Sequence, residues 1–403
     1  MSIATTARHE ALPRLTSVGD YRLMHQPNPN TRLVHVAVIM NLGSRDETPD
    51  EQGLAHFLEH MAFKGTGRRK AFHVLNRIDS VGGELNAYTT REKTVFHATV
   101  AAEHFERAFE LLVDITFNAS FPQREVVKER QVVAEEIDMY ADSPEDVIFD
   151  RFEALTFPKH ALGWPILGTK DHLQRFTAES LSRFTHKHYG HNRMLFAVAG
   201  NISEKKLQRI ADKYMADKTL TAQSLKRQAP KPVKRFSRIY SRSLQQAHVI
   251  IGGRAMPRRD KDYAAFLLLN NILGGNSMNN RLNLNIREKY GLAYNIYSFY
   301  TPYTDTGYWG VYAGCEARNV ERVAKYVRRE MLKFTETPLT DSKLKAAKRQ
   351  FIGSLLISRE SRPLRLLGYA KDVLDFDKMS TLDHAIQKLE SLTASELQDV
   401  AQR

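Results

Sequence analysis

The stretch GLAHFLEHMAFKGT, Gly53 to Thr66, sets His56 and His60 four residues apart, with Glu59 directly before the second histidine. On an α-helix, residues i and i+4 lie on one face, so the two imidazoles can converge on one ion, and Glu59 borders the same face. Neutral imidazole with carboxylate suits zinc, and a catalytic zinc keeps one position open for water. Two histidines leave the ligand set incomplete, so another segment must supply the third donor. The most helix-like acidic segment is REVVKERQVVAEEIDMY, Arg124 to Tyr140. Within it Glu129 and Glu136 are two helical turns apart and share a face, whereas Glu135 points roughly 100° away from Glu136. That spacing leaves Glu129 and Glu136 both open. Cysteine cannot contribute, because Cys315 is the only one, which excludes disulfides within the chain and cysteine zinc sites.

The elements that must position these residues are legible as hydrophobic patterns. RLVHVAVIMNLGS (Arg32–Ser44) is a strand signal, and EQGLAHFLEHMAF carries apolar residues at helical spacing. GGELNAYTTREKTVFHATV (Gly82–Val100) is expected to be two β pieces around a polar turn. Helix is expected over Ala102–Tyr140, and another strand in HNRMLFAVAGN (His191–Asn201). The 403 residues exceed one ordinary domain and point to two. Between Asp217 and Phe236 the pattern lapses into a proline-bearing, basic run expected to be a linker.

The second half is a faint copy of the first. HVAVIMNLGS at His35 is echoed by HVIIGGRAM at His248, and LQRFTAESL at Leu173 by LESLTASEL at Leu389. The offsets, 248 − 35 = 213 and 389 − 173 = 216, nearly agree. The expected fold is therefore α+β, with two homologous αβ domains of mostly antiparallel sheet packed with helices. The expected division is 1–216 for the metal-binding domain, 217–236 for the linker and 237–403 for the second copy. Shifted by 213, the histidine pair falls in LLLNNILGG (Leu267–Gly275), which has no histidine, so one metal site per chain is expected. The chain reaches Arg403 where the first copy would run on into HNRMLFAVAGN, so the matching last strand is expected to be missing or truncated.

The net charge of +13 invites a nucleic-acid reading, but the basic residues are dispersed and no zinc finger, RNA-recognition signature or aromatic-interleaved basic stripe accompanies them. Solvated surface charge is the expectation, with no nucleic-acid partner. The N-terminal MSIATTARHEALPRLTS lacks a secretory apolar core, and no apolar run spans a bilayer, so a cytoplasmic protein with no membrane association is expected.

At this point a resemblance becomes specific. HFLEHMAFKGT resembles the inverted zinc motif of the pitrilysin–insulinase metallopeptidases (family M16, the inverzincins), and ERQVVAEEIDMY resembles that family's downstream helix. The resemblance implies one Zn2+ per chain held by His56, His60 and Glu136, with Glu129 supporting the site and Glu59 as general base. The 76 residues from His60 to Glu136 (136 − 60) agree with the family's spacing. IREKYGLAY resembles the family's arginine–tyrosine pair, which makes Arg287 and Tyr294 substrate-binding and catalytic candidates from the second domain. LGGNSMNNRLNLN resembles its glycine-rich segment, with asparagines where serines or a further glycine often stand. ELNAYTTRE matches the family's substrate-edge strand, so Asn86, Ala87 and Tyr88 would pair with an extended peptide by strand addition. The implied activity is zinc-dependent endopeptidase action on unfolded peptides or flexible protein termini. The chain resembles the short single-half type, similar to the beta subunit of mitochondrial processing peptidase and its bacterial relatives. Such a chain forms one half of a clamshell, and the implied partner is a second half, in a homodimer or in a heterodimer with a related subunit. A non-catalytic subunit sharing the fold is the rival reading.

Overall fold

Strand β3 (Leu33–Met40) is apolar almost throughout because both its faces are covered. Side chains alternate across a strand, so Val34, Val36, Val38 and Met40 enter one core while Ala37 and Ile39 enter another. The computed structural model describes residues 12–224 and 227–403. In the first unit, β3 is joined by β1 (Arg14–Val18), β2 (Tyr21–Pro27), β4 (Glu84–Thr89), β5 (Thr94–Ala101) and β6 (Met194–Gly200), in the order β1-β2-β6-β3-β5-β4. All pairings are antiparallel except β2 with β6. One face carries α1 (Leu54–Ala62), α2 (Ala71–Asp79) and α3 (Phe105–Phe117), whose Phe57, Met61, Phe105 and Phe109 are fully buried.

The opposite face is covered from the other end of the chain. Leu366, Tyr369, Ala370 and Val373 of the helix Arg362–Phe376 lie against Met24, Leu195 and Ala197. The Lys93 ammonium, 2.5 Å from Asp375, ties the end of that helix to the sheet. In the second unit, β7 (Ala247–Ala255), β8 (Asn295–Pro302) and β9 (Gly307–Cys315) form an antiparallel sheet ordered β7-β9-β8. Helix α4 (Gln123–Asp142) is followed by α5 (Pro144–Thr156), which belongs to this unit. Phe152 of α5 packs with Tyr308, and Glu153 accepts a hydrogen bond from the Tyr308 hydroxyl.

The repeat is visible in detail. The order β7-β9-β8 reproduces β3-β5-β4. Thr177 and Thr393, equivalent in the two echoing segments, each cap a helix, accepting from Ser180 N at 3.1 Å and from Glu396 N at 3.2 Å. The compact units, however, do not follow the continuous division into 1–216, 217–236 and 237–403. The first comprises 1–140, 164–228 and 359–381, and the second 141–163, 229–358 and 382–403. Each unit completes its core with a helix from the other half of the sequence. The described residues of 217–236 form no helix or strand, and the chain passes to the second unit after Gln228. Among the described residues no helix is long and apolar enough to cross a membrane.

Leu366 is 1% exposed and Leu364, on the same helix, 65% exposed. Leu366→Ala is expected to cost about 2–5 kcal/mol in urea unfolding, and Leu364→Ala within about 0.5 kcal/mol of zero.

Candidate metal centre

Helix α1 begins under tight steric control. Gly53 precedes it at φ +91°, and a Cβ there would stand 2.4 Å from the Leu167 carbonyl oxygen, so only glycine fits. The buried Glu47 carboxylate accepts from Gly53 N at 3.0 Å and Ala55 N at 2.8 Å, meeting two amides that a helix start otherwise leaves unpaired. Burial pushes the Glu47 carboxyl well above its ordinary range, although both amides oppose that shift. With Leu54, Phe57, Leu58 and Met61 in the core, the helix cannot rotate, and His56, Glu59 and His60 are presented together.

Helix α4 supplies the facing carboxylates. Val126 and Val133 bury one stripe of it, and Glu129 and Glu136 project from a shared side. Glu136 Oε2 lies 3.8 Å from His56 Nε2 and 3.5 Å from His60 Nε2, and one donor atom of each of the three residues falls within 4.8 Å of the others. Ligands at zinc bond lengths in a tetrahedron stand roughly 3.4 Å apart, so this donor set fits that ion. Among the described residues it is the only such cluster, and Glu135 is exposed and outside it. Of the two carboxylates that spacing leaves open, Glu136 is the one whose oxygen faces both imidazole Nε2 atoms. Glu129 Oε1 is 2.8 Å from His60 Nδ1, so it orients the ring and leaves Nε2 facing Glu136. Lys64 Nζ holds the other Glu129 oxygen at 2.6 Å.

The two imidazoles differ: burial disfavours charged His60, but Glu129, Glu136 and Glu59 outweigh it and raise its pKa above the ordinary value, so an ion there competes with a proton. Burial, and then the neighbouring His60, push His56 down to about 3, which keeps its imidazole neutral. Burial disfavours ionised Glu129, but His60 and Lys64 outweigh it and hold the carboxyl below its usual range. Burial raises Glu59 above the ordinary carboxylate range, partly offset by the hydrogen bond from Thr89. A carboxylate whose pKa is raised binds a proton more strongly, so in its ionised form it is the better proton acceptor.

Strand β4 is an edge of its sheet and runs beside this cluster, with the Thr89 hydroxyl 2.5 Å from Glu59 Oε2. The register narrows the expectation for Asn86, Ala87 and Tyr88. Thr90 N donates to Lys93 O at 2.7 Å and closes the β4–β5 hairpin, so alternate residues back from it, Tyr88 and Asn86, turn their peptide groups to β5. Ala87 turns its groups to the open edge, where Asn86 Oδ1 covers its N–H at 2.8 Å. The Tyr88 ring lies 5.2 Å from the Lys371 ammonium, on the face covered by the helix Arg362–Phe376.

The turn after β4 is fixed by buried charge. Arg91 donates to the Trp164 carbonyl, Glu92 lies 2.6 Å from Arg45, and Arg227, from the segment read as a linker, donates both to Asp46 at 2.8 Å and to the Glu92 carbonyl at 2.9 Å. Burial disfavours ionised Asp46, but Arg227, with Arg193 and the Gly43 N–H, outweighs that and holds the carboxyl below its usual range.

Arg287 and Tyr294 belong to the second unit. Arg287 lies in a six-residue π-helical stretch, Asn283–Glu288, and donates to Asn283 Oδ1 at 3.2 Å. Tyr294 is 61% exposed, its N–H on the Gly314 carbonyl at 2.9 Å. Lys64, Glu47 and Thr89 were missed in the sequence. Lys64, one turn after His60, could have been read from its i,i+4 place; nothing local marks the other two.

An αβ fold that gathers two histidines and a glutamate around one point, with a further glutamate beside them, offers a donor set of the metal-binding class. Residues 22–170 match the family described as Insulinase (Peptidase family M16), and residues 175–351 match Peptidase M16 inactive domain. The chain is 33% identical to the uncharacterized zinc protease YmxG of Bacillus subtilis (strain 168), over 97% of this chain and 95% of that protein. A protease from Helicobacter pylori shares the fold with TM-score 0.86 at 23% identity, covering 97% of this chain and 96% of that one. A peptidase M16 inactive domain from Pseudomonas fluorescens does so with TM-score 0.87 at 19% identity, covering 96% and 94%. The chain belongs to peptidase family M16.

Glu129→Gln, which removes the charge that orients His60, is expected to weaken zinc binding about 10–100-fold in chelator competition. Asp46 supplies a pH test. Its folded pKa lies below the unfolded one, so its ionisation stabilises the protein above the ordinary value of 3.8, and that contribution disappears as pH falls through the folded value. Asp46→Asn is expected to lower the urea midpoint at pH 7, with the gap to wild type closing as pH is taken below 3.8.

Proposed function

We propose that this chain is a zinc endopeptidase that hydrolyses extended, unstructured peptides or flexible protein termini. The observation that carries this reading is the convergence of His56, His60 and Glu136 with Glu59 beside an open strand edge. His56 Nε2, His60 Nε2 and Glu136 would hold one zinc per chain, with Glu129 and Lys64 fixing the second histidine. Zinc bound there supplies a Lewis acid that acidifies water and polarises a peptide carbonyl. Glu59 takes one proton from the attacking water and passes it to the amine nitrogen as the carbon–nitrogen bond breaks, so the carboxylate is regenerated.

Substrate is held as an added strand. Ala87 N–H and C=O read the peptide backbone, which asks for an extended segment and little in its side chains. Asn86 must release the Ala87 N–H when substrate arrives, and Tyr88 shapes the edge from its anchored position on the other face. Arg287 and Tyr294 would donate to substrate carbonyls, a role supported by the match of IREKYGLAY to the family pattern. The active form we propose is a dimer of halves, most simply a homodimer, that encloses its substrate and selects it by size. Size-exclusion of the purified chain should give the mass of two copies; a monomer that is active only with a related subunit would establish the heterodimer instead.

The decisive experiment joins metal analysis to cleavage of an unstructured fluorogenic peptide by wild type and Glu59→Gln. One zinc per chain is expected in both proteins, with turnover in the wild type alone. Equal cleavage by the variant would remove Glu59 as the base, and a wild type without zinc would make the chain a non-catalytic subunit.

A further inference from the structure

Thr89 stands where two functions of the site meet. It is the last residue of β4, two beyond Ala87, so the same alternation that turns Ala87 to the open edge turns the Thr89 N–H and C=O there as well. Side chains at this phase, Leu85, Ala87 and Thr89, face α1: Leu85 and Ala87 pack on the core that contains Phe57 and Met61, and the Thr89 hydroxyl donates to Glu59 Oε2 at 2.5 Å. Glu59 lies on a helix that cannot shift, but its own side chain retains three torsions. A carboxylate with one oxygen held has its rotamer selected, and Oε1 is left to accept a proton.

We infer that Thr89 is a positioning residue for the proposed general base: its hydroxyl fixes Glu59 while its peptide groups lie on the edge that pairs the substrate. The inference rests on the peptidase reading and adds to it a physical link between binding and chemistry. Peptide pairing along β4 sets the depth and register of the scissile bond, and the strand that sets this register also sets the base. The distance from base to water is thus tied to the distance from strand to substrate, because both run through one residue. A structural role alone would be different: a hydroxyl that merely satisfies a buried carboxylate would affect stability and strand order, not turnover at saturating substrate.

The test compares Thr89→Val, which keeps the shape and removes the donor, with Thr89→Ser, which keeps the donor. Zinc content, melting temperature, kcat and KM are measured on one unstructured fluorogenic peptide, with Glu59→Gln alongside. Thr89→Val is expected to lower kcat about 10–100-fold with KM within about twofold and zinc unchanged, since a small displacement of a catalytic group costs up to about 100-fold. Thr89→Ser is expected to keep kcat within about threefold of wild type. Wild-type kcat in Thr89→Val overturns the inference, as does a loss confined to KM or to zinc, or a Thr89→Ser as slow as the valine variant. If wild type cleaves, Glu59→Gln does not and Thr89→Val is unaffected, only the role of Thr89 fails. A wild type that neither binds zinc nor cleaves overturns the peptidase reading and this inference together.

Discussion

Charge placed beside an apolar core must find a partner, and in the first unit that requirement decides where the functional side chains point. Glu129 lies between His60 and Lys64, Glu47 on the first amides of α1, Asp46 on Arg227, and Lys93 on Asp375. Removing one partner of such a buried pair costs about 3–5 kcal/mol, far more than an exposed pair contributes. A slide of α1 along α4 would break the bonds to Glu129 and the approach of Glu136 at once. The site is therefore positioned by the same interactions that make its burial tolerable, without a separate scaffold.

The second unit is a control within the molecule. It repeats the strand order and places the helix Tyr263–Gly274 after its first strand, as α1 follows β3. That helix buries Leu268, Leu269 and Leu273, and its polar residues are engaged in holding neighbours: Asn270 accepts from the Trp309 indole at 2.8 Å, and Asn271 donates to Gln350 at 2.6 Å. The same architecture carries the His56, His60 and Glu136 donor set in one copy and structural amides in the other. The difference lies in a few side chains on α1 and α4, not in the fold.

What could be read in the sequence was whatever is local. The i,i+4 histidines, the two carboxylates at two-turn spacing, the β4–β5 hairpin and the apolar run of β3 all obey short periods. Choosing Glu136 over Glu129 as the facing carboxylate required either resemblance or coordinates, because both share one stripe of α4. The phase of β4 was unreadable, since whether Ala87 or its neighbours face the open edge depends on where the Thr90–Lys93 pair closes the turn. Thr89 escaped notice for the same reason, lying 30 residues from its partner Glu59. The helix Arg362–Phe376 has an apolar face, but nothing in it says that its sheet was built by residues more than a hundred and fifty positions earlier. The run 217–236 has the composition of a linker, which gives no sign that Arg227 enters a buried ion pair with Asp46.

That borrowed helix has a consequence for how the protein is made. The six-stranded sheet of the first unit has one face bare until Arg359–Thr381 has been synthesised, so the first half of a nascent chain cannot finish its own fold. At ribosomal speeds of about 5–20 residues per second, well over a hundred residues of waiting separate the last strand of that sheet from its cover. The surroundings of His56, His60 and Glu136 are therefore completed late, after nearly all of the chain has emerged.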